Sequence, residues 1–154
     1  IIDMRVAHSS SIWPLKEMLG FFTAGEMGRQ YSGSGQETLE IIGVDLAGSQ
    51  SVPLILLVGP ETRGPSEIFA AALQATGRAI LIGQPTPGQV IGFDHFFLPN
   101  GGEIFFGISS YISPSGEDIG LRGVHPDITI ETRWDEVTDD EDAVINRALL
   151  KLTQ

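Results

Sequence analysis

"VPLILLVGPETRGPSEIFAAALQATGRAILIG", residues 52 to 83, contains two short apolar runs with one helical segment between them. The first run, 52–59, is continuously apolar, as expected of a strand buried on both faces, and the run at 79–83 repeats that signature. Strand, helix and strand at this spacing form a βαβ unit and predict a parallel pair. The helix is expected over about 65 to 76. Pro65 suits its first position, Glu67 the positive end of its dipole, and Gly77 its C-terminal stop. Ile68, Ala71, Ala72 and Leu73 supply a small-residue packing face.

Further patterns extend this unit in both directions. "IIDMR" (1–5) reads as a further strand of the same parallel sheet. A buried strand right at the start leads us to expect that part of a larger domain precedes it, so that residues 1–154 are a partial domain with apolar surface for a neighbour to cover. Ile12, Leu15, Leu19 and Phe22 have helical spacing, with Pro14 in the first turn, while "GRQYSGSGQET" (28–38) reads as a small-polar linker or loop. Two strand-like runs flank Asn100-Gly101-Gly102, a hairpin signal expected to form an antiparallel layer. In the tail, Thr138 and Glu141 have capping-box spacing ahead of an apolar face of Val144, Ile145, Ala148, Leu149 and Leu152. The acidic run Asp139, Asp140, Glu141 and Asp142 suits a solvated helix start and lacks the spacing of a calcium loop.

Composition narrows the function classes. With 42% hydrophobic and 19% charged residues the chain is globular, and its net charge of −11 repels nucleic acid. No apolar run reaches membrane-spanning length. There is no cysteine, which excludes disulfides and thiolate metal sites, and no metal or cofactor is expected.

The ordered motifs resemble the core of the tail-specific, or C-terminal processing, serine proteases. Ile1, Ile2, Asp3, Met4 and Arg5 stand where that family has a strand reading roughly I-L-D-L-R. Ser66, Glu67, Ile68, Ala70, Ala72, Leu73 and Gln74 match its S-E-I-x-A-x-A-L-Q helix, and Gly77, Arg78, Ala79 and Gly83 match G-R-A-x-x-x-G. Leu98, Pro99, Gly101 and Gly102 match the L-P-D-G-G hairpin, with Asn100 in place of aspartate. Tyr111, Pro114, Ser115, Gly116, Ile119, Gly123, Val124, Pro126, Asp127 and Ile128 match its closing motif. The resemblance implies an α/β fold with a ClpP/crotonase-like spiral core, combining a parallel βαβ unit with an antiparallel hairpin layer. It also implies a peptide or protein C-terminal segment as partner and an exported or periplasmic setting. A homo-oligomer, or association with a missing N-terminal part, is expected.

The resemblance also implies a serine nucleophile and a lysine base, and both positions are altered. The nucleophile position is Gly64, the base position is Gln89, and a glutamine four residues further on is Phe93. The two lysines, Lys16 and Lys151, lie far from this motif. One oxyanion donor would come from the residue after the nucleophile, here Pro65, which has no N–H, and the other from a glycine turn that here reads "VAHSS" (6–10). Substitute chemistry through Ser66 and His8 is the remaining route to a nucleophile and base. His95 and His125 read as structural. The leading expectation is therefore a non-catalytic, protease-like domain that binds peptide or serves assembly or regulation. The alternatives are a serine-type endopeptidase using non-standard residues or parts outside this chain, and, more remotely, a crotonase-like acyl-CoA enzyme.

Overall fold

The computed structural model describes residues 1–7, 13–90, 92–132 and 141–153. A parallel sheet has the order β1 (Ile2–Asp3), β4 (Ile55–Val58), β5 (Ile80–Gly83) and β9 (Ile128–Thr129). The helix α2 (Pro65–Ala75) connects β4 to β5, as the apolar runs predict. Alternate residues of β4 feed different cores. Leu56 and Val58 join Met4, Leu81 and α2 on one face, whereas Ile55 and Leu57 join Ile82 and α3 (Ala143–Leu152) on the other. This explains why the run is apolar throughout: both faces of the strand are covered.

Burial of α2 goes beyond a single face. Every residue from Ser66 to Leu73 is buried, because α1 (Leu15–Gly20) and a second sheet cover the side away from the parallel strands. Trp13 and Phe22 meet the fully buried Phe69 edge-on, with ring centroids 5.5 and 6.1 Å away. The prediction of a narrower packing face underestimated this helix. In α1, Pro14 is the N-cap rather than a first-turn residue, and Ile12 lies outside the described residues.

The stretch 28–38 is not a linker. It forms most of an antiparallel hairpin, β2 (Gly25–Ser32) and β3 (Gly35–Ile41), turning at Gly33-Ser34. β8 (Ser110–Ile112) pairs on the other side of β2 to give the order β3-β2-β8. Its polar composition disguised a sheet with one face in water, but Leu39 and Ile41 are buried while Thr38 and Glu40 are exposed. Tyr111 on β8 is fully buried and donates its hydroxyl to Met27 O at 2.6 Å; burial pushes the phenol well above its usual range. The Asn100–Gly102 hairpin also forms, as β6 (Phe93–Phe97) and β7 (Glu103–Gly107), an antiparallel two-stranded sheet separate from the other two.

At the C-terminal helix the cap differs from the expected one. Asp142 is the N-cap, accepting from Val144 N at 2.9 Å and Ile145 N at 3.0 Å, and Thr138 lies outside the described residues. The apolar face is also narrower than predicted: Val144 and Ala148 are buried, but Leu149 and Leu152 are exposed.

Asp142 also pairs with Arg5 Nη1 at 2.7 Å, and Arg5 Nη2 lies 2.6 Å from Asp3, so one guanidinium links β1 to the start of α3. Burial by itself would push the Asp3 and Asp142 carboxyls up. The hydrogen bonds and charge of Arg5, with the Ile145 and Val144 amides at Asp142, outweigh it and hold both below the usual carboxylate range. A depressed carboxylate stabilises the fold above its unfolded value, about 3.9, and that stabilisation is lost as pH falls through the folded value. Melting temperature should therefore fall steeply below about pH 4. Asp142→Asn keeps a good N-cap and loses the ion pair, so its acid limb should be shallower than that of the parent.

Candidate active site

The N-terminus of α2 meets the loop 86–89 around one side chain. Glu67 is fully buried, and its carboxylate accepts four hydrogen bonds. Oε1 accepts from Thr86 Oγ1 at 2.6 Å and Gly88 N at 2.6 Å. Oε2 accepts from Gln89 N at 2.7 Å and Gly64 N at 3.0 Å. An ionised carboxylate offers about four lone-pair sites and no donor, so this arrangement satisfies it completely. Thr86 extends the network, since its hydroxyl oxygen also accepts from Val124 N at 2.8 Å. The sequence placed Glu67 as a partner of the helix dipole; its larger role is to clamp a distant loop onto the helix.

Gly64 and Gln89 are thereby brought together, each with its amide within 3.0 Å of one carboxylate oxygen. Neither position offers a reactive group. Gly64 is the N-cap of α2 at φ 69°, ψ −133°, a backbone geometry that glycine adopts readily and other residues do not. Pro65 opens the helix and has no N–H to aim at an oxyanion. The Gln89 side chain lies on an exposed residue, and Phe93 begins β6.

Ser66 is neither a cap facing water nor an accessible hydroxyl. It is fully buried, and its Oγ lies 2.9 Å from Ala7 O and 2.8 Å from Arg63 O. A hydroxyl engaged with two carbonyls ties the segment after β1 to the start of α2, which is a structural task. His8 lies outside the described residues. His125 is exposed, and its carbonyl accepts from Gln74 Nε2 at 2.9 Å. His95 is exposed on β6, with Nδ1 3.1 Å from Glu103 Oε1.

Other motif residues are structural ties. Arg78 donates to Phe22 O, Ser49 O and Val52 O, fastening the start of β5 to two loops. Asp127 accepts from Leu81 N at 2.7 Å and Gln74 Nε2 at 3.0 Å, joining β5, α2 and the approach to β9. Gly123, at φ 71°, passes so close to Thr86 O that a Cβ there would overlap it.

Leu121 was not singled out in the sequence. It adopts φ 63°, rare for a bulky residue, while its side chain is 79% exposed and its N donates to Gly88 O at 3.1 Å. The left-handed conformation costs an L-residue about 1–2 kcal/mol, and little burial would be lost on truncation. Leu121→Gly is therefore expected to stabilise the domain by about 1 kcal/mol in urea unfolding.

Two cavities among the described residues have none of Gly64, Glu67 or Gln89 in their lining. One, of about 240 Å³, opens at the carboxyl ends of β1, β4 and β5 between Arg5, Gly59, Gln84 and Val144. The other, of about 260 Å³, lies beside Gln74, Ser113 and Asp127. No described helix is long and apolar enough to cross a membrane, and no described cluster of three or more His, Asp or Glu is suited to a metal ion.

Comparison with known proteins agrees with this architecture. The chain is 34% identical over 89 residues to chloroplastic carboxyl-terminal-processing peptidase 1 of Arabidopsis thaliana, covering 58% of this chain and 18% of that protein. It is 32% identical over 126 residues to the carboxyl-terminal-processing protease of Synechocystis, covering 80% of this chain and 30% of that one. The chain thus spans under a third of the length of these curated relatives. Among solved structures, the photosystem II D1 C-terminal processing protease superimposes with a TM-score of 0.69 at 23% identity, covering 84% of this chain and 33% of that chain. A peptidase candidate from Parabacteroides merdae gives 0.81 at 16% identity, covering 99% and 51%. At these identities the superpositions establish the fold. The sequence model described as Peptidase family S41 matches residues 1–130, and the chain belongs to that family.

Proposed function

We propose that this domain binds an extended peptide, the C-terminal segment of a protein, without hydrolysing it. One observation carries the proposal: the positions that resemblance assigns to nucleophile and base meet around Glu67 as Gly64 and Gln89, with Pro65 opening the helix directly after Gly64. Hydroxyl, proton-accepting amine and one oxyanion donor are all missing at these positions, while the helix and sheet that carry them are well buried. The names of the relatives speak of carboxyl-terminal processing, which supports a chain terminus as the ligand. A route that needs none of the missing groups is strand addition along the segment from Gln89 to Phe97, where backbone hydrogen bonds provide affinity. Within this segment β6 pairs only with β7 among the described residues, which leaves its other edge open.

The test combines binding with turnover. The unmodified chain should bind unstructured C-terminal peptides by fluorescence anisotropy, return them intact by mass spectrometry, and remain unlabelled by a fluorophosphonate probe. Cleavage or labelling would overturn the non-catalytic half of the proposal. Absence of binding across a varied peptide library would overturn the other half.

A further inference from the structure

The β6–β7 hairpin carries aromatic side chains on both of its faces, and most of them are in water. Phe96, Phe97, Phe105 and Phe106 are 59, 75, 62 and 39% exposed. At about 200 Å² per ring they leave roughly 450 Å² of aromatic surface solvated. Ile104 and Ile108 are also exposed. A two-stranded hairpin by itself is also only marginally stable.

The cross-strand register sorts these groups. His95 is opposite Phe105 and Phe97 opposite Glu103, so these four share one face, where His95 is close to both rings and to Glu103. Asp94 is opposite Phe106 and Phe96 opposite Ile104, on the other face, where Phe96 and Phe106 stack at 5.2 Å. Asp94 accepts only the neighbouring His95 N, at 2.8 Å, and has no ion pair among the described residues. The surroundings are anionic as well: residues 79–121 include Asp94, Glu103, Glu117 and Asp118 and not one lysine or arginine. An unpaired carboxylate beside stacked rings suits a cationic side chain, which gains an ion pair and a cation–π contact together.

We infer that the Asp94–Phe96–Phe106 face is a subsite for an arginine or lysine of the bound peptide, so that the preferred ligand is an extended segment combining basic and apolar residues. This rests on the peptide-binding reading above. A strand paired along the open edge of β6 would place every second side chain on this face, next to Asp94.

The experiment uses the full chain and three eight-residue apolar peptides whose central residue is arginine, norleucine or glutamate, followed by anisotropy. The arginine peptide should bind at least tenfold more tightly than the norleucine peptide and weaken as salt is raised. Asp94→Asn should bring binding of the arginine peptide down to that of the norleucine peptide, and Asp94→Lys should transfer the preference to the glutamate peptide. Because Asp94 is exposed, circular dichroism and melting temperature should not change in either variant. If the parent binds none of the three peptides, the peptide-binding reading itself fails. If it binds all three equally, or Asp94→Asn keeps the arginine preference, the subsite is overturned and peptide binding stands. Concentration-dependent dimerisation that masks amides 93–97 from hydrogen exchange and blocks the peptides would assign the face to a second copy, and would also overturn the subsite.

Discussion

Glu67→Ala is expected to cost about 3–5 kcal/mol, enough to leave the domain largely unfolded under conditions where the parent is stable. Four donors converge on that carboxylate, and removing it strands the Gly88 amide and the Thr86 hydroxyl in a buried position. Each buried donor left without a partner costs about 1–3 kcal/mol, and the deleted side chain also leaves a cavity. Glu67→Gln separates acceptor chemistry from volume, because its amide would turn two hydrogens towards donors that need an acceptor. It should lose at least half as much stability as Glu67→Ala despite near-identical size. Thr86→Val removes one donor to Glu67 and the acceptor for Val124 N, and should cost about 1–3 kcal/mol. Urea midpoints at constant slope would measure all three. A Glu67→Ala protein as stable as the parent would show that the loop 86–89 does not need this clamp.

The clamp also marks where the sequence became hard to read. The β4–α2–β5 unit was legible because each of its signals is local: two continuous apolar runs, a proline at the first helical position and a glycine just past the last turn. Glu67 has the same local signature as any dipole-complementing glutamate. Three of its four partners come from a loop 19 to 22 residues further along, and no periodicity reports that contact. Ser66 was ambiguous for the same reason, since the carbonyl of Ala7, 59 residues earlier, fixes its hydroxyl. The β2–β3 hairpin is hard to read because half of β2 and most of β3 face water, so polar residues and glycines outweigh the buried Leu39 and Ile41. At α3 the sequence points to Thr138 as the cap, whereas Asp142 takes that role, accepting from Val144 N and Ile145 N and pairing with Arg5 from the opposite end of the chain. The motif positions were legible as a family pattern. Arg78, Asp127, Gln74 and Gly123 are structural ties here, so the matched motifs account for the fold more fully than for any chemistry.

Restoring Gly64→Ser and Gln89→Lys together should still yield very little peptide hydrolysis, for three separable reasons. Pro65 leaves the oxyanion hole one donor short, which costs about a hundredfold to a thousandfold. The new serine must adopt φ 69°, ψ −133°, a strain of about 1–3 kcal/mol that weakens the fold or moves the hydroxyl out of line. Gln89 is exposed, so a lysine there would keep its ordinary value near 10.4, and only about one molecule in a few thousand would hold a free amine at neutral pH. A lysine base works when burial lowers that value. Adding Pro65→Ala should therefore raise turnover by roughly the oxyanion contribution, about a hundredfold, and the rate should keep climbing towards pH 10 as the amine deprotonates. Active-site labelling with a fluorophosphonate would count the competent molecules, and a fluorogenic peptide would measure the rate. Efficient cleavage by the double variant would show that Pro65 is no obstacle. Cleavage by the unmodified chain, lost in a Ser66→Ala protein that melts normally, would place the nucleophile on Ser66, in conflict with the hydrogen bonds that fix its hydroxyl between Ala7 and Arg63.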